Sequence, residues 1–128
     1  MSNSAWISKI ARSEILVRDN LTCAYCGIVC EIYSGVRKLN TATLDHVVSQ
    51  KALAASATDD KDFASKRKDP KNLVCVCSRC NSSKQHTELY VWCTQKGLDY
   101  SVIIAEIARR ISKPIAHKTR KNSKKGSK

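Results

Sequence analysis

Long apolar runs and acidic residues are both scarce in this sequence of 128 residues. No segment approaches the roughly 20 apolar residues that a membrane-spanning helix requires. The N-terminal residues contain no apolar core of the signal-peptide type, because charged residues interrupt the apolar positions. Only 11 acidic side chains stand against 23 lysines and arginines, so the formal net charge is +12. Such an excess attracts polyanions. We therefore expect a soluble intracellular protein with a polyanionic partner and no membrane partner.

The size, composition and cysteine spacing indicate one small domain that contains a metal site. The chain has a mass of 14.2 kDa, and 42% of its residues are hydrophobic, which is enough for a modest core. Seven cysteines are many for this length. In the reducing cytoplasm, where we expect the protein, closely spaced cysteines bind metal more often than they form disulfides. Two CxxC pairs have the spacing of metal ligands: Cys23 with Cys26, and Cys77 with Cys80.

Hydrophobic periodicity predicts several helices around two short strands. Helices are expected over 6–19, 51–57, 78–92 and 98–111, and strands over 28–33 and 41–48. Ser4 is the expected N-cap of the first helix. The polar and charged segment 58–70 is expected to be a loop with at most one helical turn. Trp6 and Trp92 are expected to anchor the core.

The last part of the chain predicts a basic tail. Residues 112–128 contain no acid and supply +7 of the net charge, and their composition is typical of disorder. We expect residues 1–111 to form the domain and the tail to contact phosphate groups. The seven bases of the tail are Lys113, Lys118, Arg120, Lys121, Lys124, Lys125 and Lys128.

Three motifs follow one another in an order that is specific as a set, although each is weak alone. The first CxxC is followed by Leu-Asp-His-Val-Val at 44–48, and then by Asn-Leu-Val-x-x-Cys-x-x-Cys-Asn-x-x-Lys at 72–84. This combination resembles the HNH endonuclease family in its zinc-stabilised form, and the resemblance covers residues 18–84. It implies an α+β fold with a ββα-metal (His-Me finger) core, flanking helices, and a motif core over about 18–92.

Phosphodiester hydrolysis needs an activated water, charge neutralisation on the phosphate and stabilisation of the leaving oxygen. A neutral imidazole can activate water near pH 7, and a divalent cation on oxygen ligands can supply the other two effects. Asp45 and His46 are adjacent at the end of a predicted strand. Neighbours within a strand point to opposite faces, but at a strand end both could reach one phosphate.

The resemblance implies a role for each polar residue of the motifs. His46 is implied as the general base, and Asp45 and Asn81 as ligands of a catalytic Mg²⁺ or other divalent cation. Asn72 is implied as a structural residue that ties the hairpin loop and orients the base. Lys84 is expected to contact a phosphate. The four CxxC cysteines are implied to hold one structural Zn²⁺ without an open coordination position.

Several simpler interpretations remain open at this stage. The cysteines could be buried free thiols, and Cys75 could replace one ligand because it forms a CxC with Cys77. His46 could be an ordinary strand-end histidine, and Asn81 could act only as a helix cap. His86 is expected to be solvated or to contact a phosphate.

The resemblance implies hydrolysis of double-stranded DNA to 5′-phosphate and 3′-hydroxyl ends, by nicking or by double-strand cleavage, with a homodimer as one route to the latter. Small members of the family occur in phages, mobile introns and restriction systems, so a phage-encoded protein acting in the host cytoplasm also fits. Two alternatives remain. One is a nuclease of the same fold that cleaves RNA, and the other is a non-catalytic zinc-finger protein that only binds nucleic acid.

Overall fold

A computed structural model describes residues 6–115 of the chain. Two antiparallel strands form the sheet, with Ala42 opposite Cys77 and His46 opposite Leu73. Helix α4 follows the second strand directly, so this part of the chain has the expected ββα order and the α+β fold class is confirmed. The elements in chain order are α1 Lys9–Arg18, β1 Ala42–His46, α2 Gln50–Ser56, α3 Asp60–Arg67, β2 Leu73–Cys77, α4 Ser78–Lys84, α5 Leu89–Lys96 and α6 Tyr100–Ile111.

Strand β2 lies at the centre of the core. Its Leu-Val-Cys-Val-Cys sequence is buried throughout, as expected for a strand covered on both faces. Helices α1 and α6 pack against β2. Helix α6 contributes Ile103 and Ile107, which are one turn apart and both buried. The core therefore fixes β2, whose C-terminal end leads into α4.

A buried ionic cluster joins α1 to β2. The guanidinium of Arg18 pairs with Asp19 at 2.7 Å and donates to the carbonyl of Leu73 at 2.6 Å. Asp19 accepts the backbone N–H of Cys75 at 2.8 Å, and Arg110 lies 3.5 Å from the same carboxylate. Because every charge in this cluster has a partner, removing one would leave another buried and unpaired.

Two N-terminal predictions are wrong. Helix α1 begins at Lys9, because the hydroxyl of Ser8 accepts the backbone N–H of Ala11 at 3.0 Å and caps it. Ser4, the predicted cap, lies outside the described residues. Segment 28–33 is not a strand, since it makes only isolated bridges, such as that between Thr22 and Val29.

Two central predictions also need correction. Residues 58–70 contain the full helix α3, capped by Asp59, with acids in its first turn and bases in its last, which complements the helix dipole. The helix predicted over 78–92 is two helices, because Gln85 takes a φ of 48° and ends α4. Gly97 lies between the helices predicted over 78–92 and 98–111, and it ends α5 with a φ of 73°.

The start of the predicted tail packs against the domain. The Lys113 ammonium donates to the carbonyl of Arg18 at 3.3 Å, and Ile115 lies against the core. Lys113 therefore lies at the end of α1 and contacts the domain, whereas it was predicted to contact a phosphate from a disordered tail. The other predicted contact residues of the tail, Lys118, Arg120, Lys121, Lys124 and Lys125, lie outside the described residues. Within residues 6–115, none of the helices has the length and apolar character to cross a membrane.

Candidate active site and metal centre

The two CxxC pairs come together as one cluster, which can hold a metal ion. Their four sulfur atoms lie within 4.8 Å of one another, and those of Cys26 and Cys77 are 3.8 Å apart. Zinc–sulfur bonds of about 2.3 Å place the sulfurs of a tetrahedral site about 3.8 Å apart. The donor set and its dimensions therefore suit a metal such as zinc. The cluster consists of Cys23, Cys26, Cys77 and Cys80.

The local backbone favours the thiolate form of Cys23 in this cluster. The sulfur of Cys23 accepts the backbone N–H groups of Tyr25 and Cys26 at 3.4 and 3.5 Å. The sulfur of Cys77 caps α4 by accepting the N–H of Cys80 at 3.4 Å. Hydrogen bonding from the Cys80 thiol, helped by backbone amides, lowers the pKa of Cys23 to about 4, and the same hydrogen bond, followed by burial, raises the pKa of Cys80. A lowered thiol pKa is what a metal ligand needs, since metals bind the thiolate.

The three remaining cysteines are buried and do not join the cluster. Burial raises the pKa of Cys75, and a neighbouring Cys30 raises it further. Burial likewise raises the pKa of Cys30 to about 11 and also raises that of Cys93. These thiols therefore stay protonated. Cys75 does not replace any of the four cysteines of the cluster.

Asp45 is held through one of its two carboxylate oxygens. The Tyr25 hydroxyl donates to Oδ2 at 2.5 Å, and the Lys84 ammonium lies 3.0 Å from the same atom. Burial, followed by the nearby Asp45 charge, raises the pKa of Tyr25 well above its ordinary value, so it stays a donor. Among residues 6–115 no hydrogen bond reaches Oδ1 of Asp45, so that oxygen remains available to a ligand.

Lys84 differs from its prediction. The expectation was a phosphate contact, but its side chain is only 1% exposed and its charge is paired with Asp45. It lies one turn after Asn81 on α4, on the side of that helix that faces β1. Lys84 is therefore a buried partner of the carboxylate.

His46 is held by a segment that was predicted to be a loop. Its Nε2 lies 2.7 Å from the carbonyl oxygen of Arg67, at the end of α3. A carbonyl only accepts hydrogen bonds, so Nε2 carries the proton and the lone pair of the neutral ring is on Nδ1. The Trp6 ring packs against the imidazole at a tilt of 39°, with 5.0 Å between the ring centroids. Burial lowers the pKa of His46, which favours the neutral ring at pH 7.

The two asparagines have different surroundings. Asn72 bridges the loop after β1, since its side chain accepts the N–H of Val48 at 2.7 Å and donates to the carbonyl of Val48 at 3.0 Å. Asn81 donates its Nδ2 to the Thr43 hydroxyl at 2.8 Å and to the carbonyl of Leu44 at 3.2 Å. Thr43 donates its own proton to Val76, so both partners of Asn81 accept, and the Asn81 Oδ1 faces away from them.

One open cavity of about 730 Å³ brings the central residues together. Asp45, His46 and Asn81 line it, although Asp45 and His46 are consecutive on the chain. Both side chains reach one cavity because His46 ends β1. Asn72 is not among the lining residues and stays at the hairpin loop.

The sequence interpretation missed several residues of this cavity. Its lining includes Trp6 and three basic residues, Lys9, Arg12 and Arg37. Lys9 and Arg12 stand one helical turn apart, which signals one polar face of α1. Arg37 reaches the same cavity from a loop whose course no local sequence pattern indicates.

Comparison with known proteins bears on what this cavity does. The chain matches the family model described as HNH endonuclease over residues 23–87, just over half of its length. It is 30% identical over 100 residues to the CRISPR-associated endonuclease Cas9 of Actinomyces naeslundii, covering 78% of this chain and 7% of that protein. It is 27% identical over 99 residues to that of Corynebacterium diphtheriae, covering 77% and 7%. The chain thus spans about 7% of the length of these curated relatives. No solved structure gives a significant match.

Proposed function

Because this chain belongs to the HNH endonuclease family, we propose that it is a metal-dependent endonuclease that hydrolyses phosphodiester bonds of DNA. The observation that carries the proposal is the cavity that places His46 beside Asp45 and Asn81. It contains a base with a free lone pair and two side chains that offer oxygen ligands. A module that only binds nucleic acid has no need of this combination.

His46 is the proposed general base. Its Nδ1 takes a proton from a water molecule, whose oxygen then attacks the phosphorus atom. The bond from phosphorus to the 3′-oxygen breaks, and that oxygen takes a proton from solvent. The products are a 5′-phosphate and a 3′-hydroxyl. The Arg67 carbonyl holds the opposite ring nitrogen at 2.7 Å and so directs Nδ1 into the cavity.

Asp45 and Asn81 are the proposed ligands of a Mg²⁺-type ion, through the carboxylate Oδ1 and the amide Oδ1. Hard oxygen atoms are the donors that such an ion prefers. When bound, the ion would neutralise charge on the phosphate and stabilise the leaving oxygen. Lys84 and Tyr25 occupy Oδ2 of Asp45, so they orient the carboxylate and leave Oδ1 to the ion.

The four-cysteine cluster is proposed to hold a structural Zn²⁺ that positions both ligands of the catalytic ion. Asn81 follows Cys80 directly, and Tyr25 lies between Cys23 and Cys26. The zinc would therefore fix the start of α4 and, through Tyr25, the carboxylate of Asp45. A reducing compartment keeps such cysteines free to bind metal, which agrees with the proposed cytoplasmic location.

Replacing Tyr25 by phenylalanine tests this link. We expect the Mg²⁺ concentration that gives half-maximal cleavage to rise about tenfold or more, because partners of metal ligands tune affinity by about 10 to 100-fold. Zinc content and the rate at saturating Mg²⁺ should change little. Tyr90→Phe is the matched control, since Tyr90 is exposed and packs on Tyr100. An unchanged Mg²⁺ dependence in Tyr25→Phe would remove the positioning role.

The substrate is proposed to be double-stranded DNA, with residues 1–111 as the nuclease domain and the bases after residue 115 as additional phosphate contacts. One active site cuts one strand per event. Double-strand cleavage would therefore require two chains or two events.

The chemistry of the ends tests the proposed hydrolysis. A plasmid nicked by the protein in Mg²⁺ should be resealed by DNA ligase alone, because ligase joins a 5′-phosphate to a 3′-hydroxyl. Nicks that need prior treatment with a phosphatase and a kinase would contradict the proposed bond cleavage. Cleavage of RNA with intact DNA would assign the site to an RNA substrate.

A further inference from the structure

One face of α1 forms a wall of the active-site cavity. Lys9, Arg12, Ser13 and Leu16 line it, at the spacing of residues that share a helix face. Arg37, from the loop that leads to β1, lines the same cavity and is exposed. Asp45 is the one acidic residue of the lining, and its charge is already paired with Lys84. The lining therefore carries an excess of positive charge.

Arg12 has an unsatisfied donor in this wall. Its Nε atom is buried and has no hydrogen-bond partner among the described residues. Leaving a buried charged donor unpaired is costly. Arg12 and Arg37 line the same cavity, and burial, followed by repulsion from Arg37, lowers the pKa of Arg12. In the described part of the chain, neither arginine forms an ion pair.

We propose that Arg12 and Arg37 together bind a backbone phosphate of DNA next to the phosphate that is cleaved. Guanidinium groups match a phosphate with paired N–H donors and hold it by charge as well. An anion between the two groups would satisfy the Arg12 donor and remove the repulsion. The proposal rests on the proposed function for the identity of the substrate.

The scissile phosphate belongs beside His46 and the oxygens of Asp45 and Asn81, so the arginine pair takes a different phosphate of the same strand. The pair does not touch the reacting atoms in this arrangement. We therefore expect it to set affinity and register, while the rate of the bound complex changes little.

Binding to a duplex in EDTA tests the pair without requiring any cleavage. Arg12→Gln and Arg37→Gln should each raise Kd about tenfold at physiological salt. Each should also make the negative slope of the logarithm of the association constant against log salt shallower by about 0.9, the value for one phosphate. Because both arginines bind the same phosphate, the double variant should lose about 0.9 in slope as well, and not twice that amount. Lys96→Gln removes one exposed charge of α5 outside the cavity and should leave both quantities unchanged.

Replacing one backbone phosphate by an uncharged methylphosphonate identifies the phosphate that the two arginines contact. A single methylphosphonate is placed at successive positions around the cut in a series of duplexes. At one position it should weaken DNA binding by the native chain but not by the double variant. Equal loss of affinity in both proteins at every position would overturn the proposal. A native DNA affinity of the Arg37→Gln variant would also overturn it. Arg37 is exposed, so this substitution poses little risk to folding. A third outcome would assign the site to a free anion. In that outcome millimolar inorganic phosphate competes with DNA for the native chain but not for Arg12→Gln, and no methylphosphonate position distinguishes the two proteins. This result would overturn the DNA assignment. If the native chain binds as described but never cuts, the nuclease proposal fails and the arginine site stands.

Discussion

Alanine at position 46 is expected to lower the rate constant of DNA cleavage by about 10² to 10⁴-fold, the usual contribution of a general base. Nε2 of His46 donates to the carbonyl of Arg67. The lone pair that can accept a proton from water is therefore on Nδ1. The imidazole is held between that carbonyl and the ring of Trp6. Alanine removes the proposed base and leaves the proposed metal ligands and the two arginines in place.

The rate should be measured under single-turnover conditions, with the protein in excess over an end-labelled duplex. His86→Ala is the matched control, because His86 lines the same cavity but is exposed. We expect this control to cleave within a few-fold of the native rate. DNA affinity and zinc content should be unchanged in both variants. Native cleavage by His46→Ala would remove His46 from the role of base.

Serine at position 77 is expected to release the metal from the cysteine cluster and to lower the melting temperature by more than about 10 °C. Structural zinc contributes folding free energy directly, and about 1 kcal/mol corresponds to several degrees in a domain of this size. Cys77 also caps α4, and serine is a good N-cap. The substitution therefore tests metal binding while the cap of the helix is kept.

Zinc per chain by elemental analysis and thermal unfolding by circular dichroism are the two measurements. Cys93→Ala is the control, since Cys93 is fully buried but lies outside the cluster. Loss of its small side chain should cost a few degrees and no zinc. If Cys77→Ser keeps both one zinc per chain and the native melting temperature, the cluster is not a structural metal site.

Sequence reasoning succeeded where a short local motif itself contains the functional residues. The two CxxC pairs are local motifs, and their union into one site followed from family resemblance. Strand β2 was not predicted, because a short apolar run such as that of Leu73–Cys77 does not by itself distinguish a buried strand from part of a buried helix. The end of α5 was readable because Gly97 adopts a positive φ that glycine accepts easily.

The errors share a physical cause, which is that tertiary contacts decide between local alternatives. Serine is a favoured cap at either position, and it is Ser8 that caps α1. Lys84 has the composition of a surface base, but α4 turns it toward Asp45. The partner of His46 is the backbone of Arg67. Every residue has a carbonyl, so no side-chain pattern could have identified it.

Incubation of supercoiled plasmid with the native chain and with His46→Ala, in Mg²⁺ and in EDTA, tests the central claim most directly. The account predicts nicked or linear plasmid for the native chain in Mg²⁺, and intact plasmid in the other three reactions. Cleavage by the native chain in EDTA, or equal cleavage by the two proteins in Mg²⁺, would contradict it. Intact plasmid in all four reactions, with DNA still bound, would contradict nuclease action on DNA of this kind and favour a binding module.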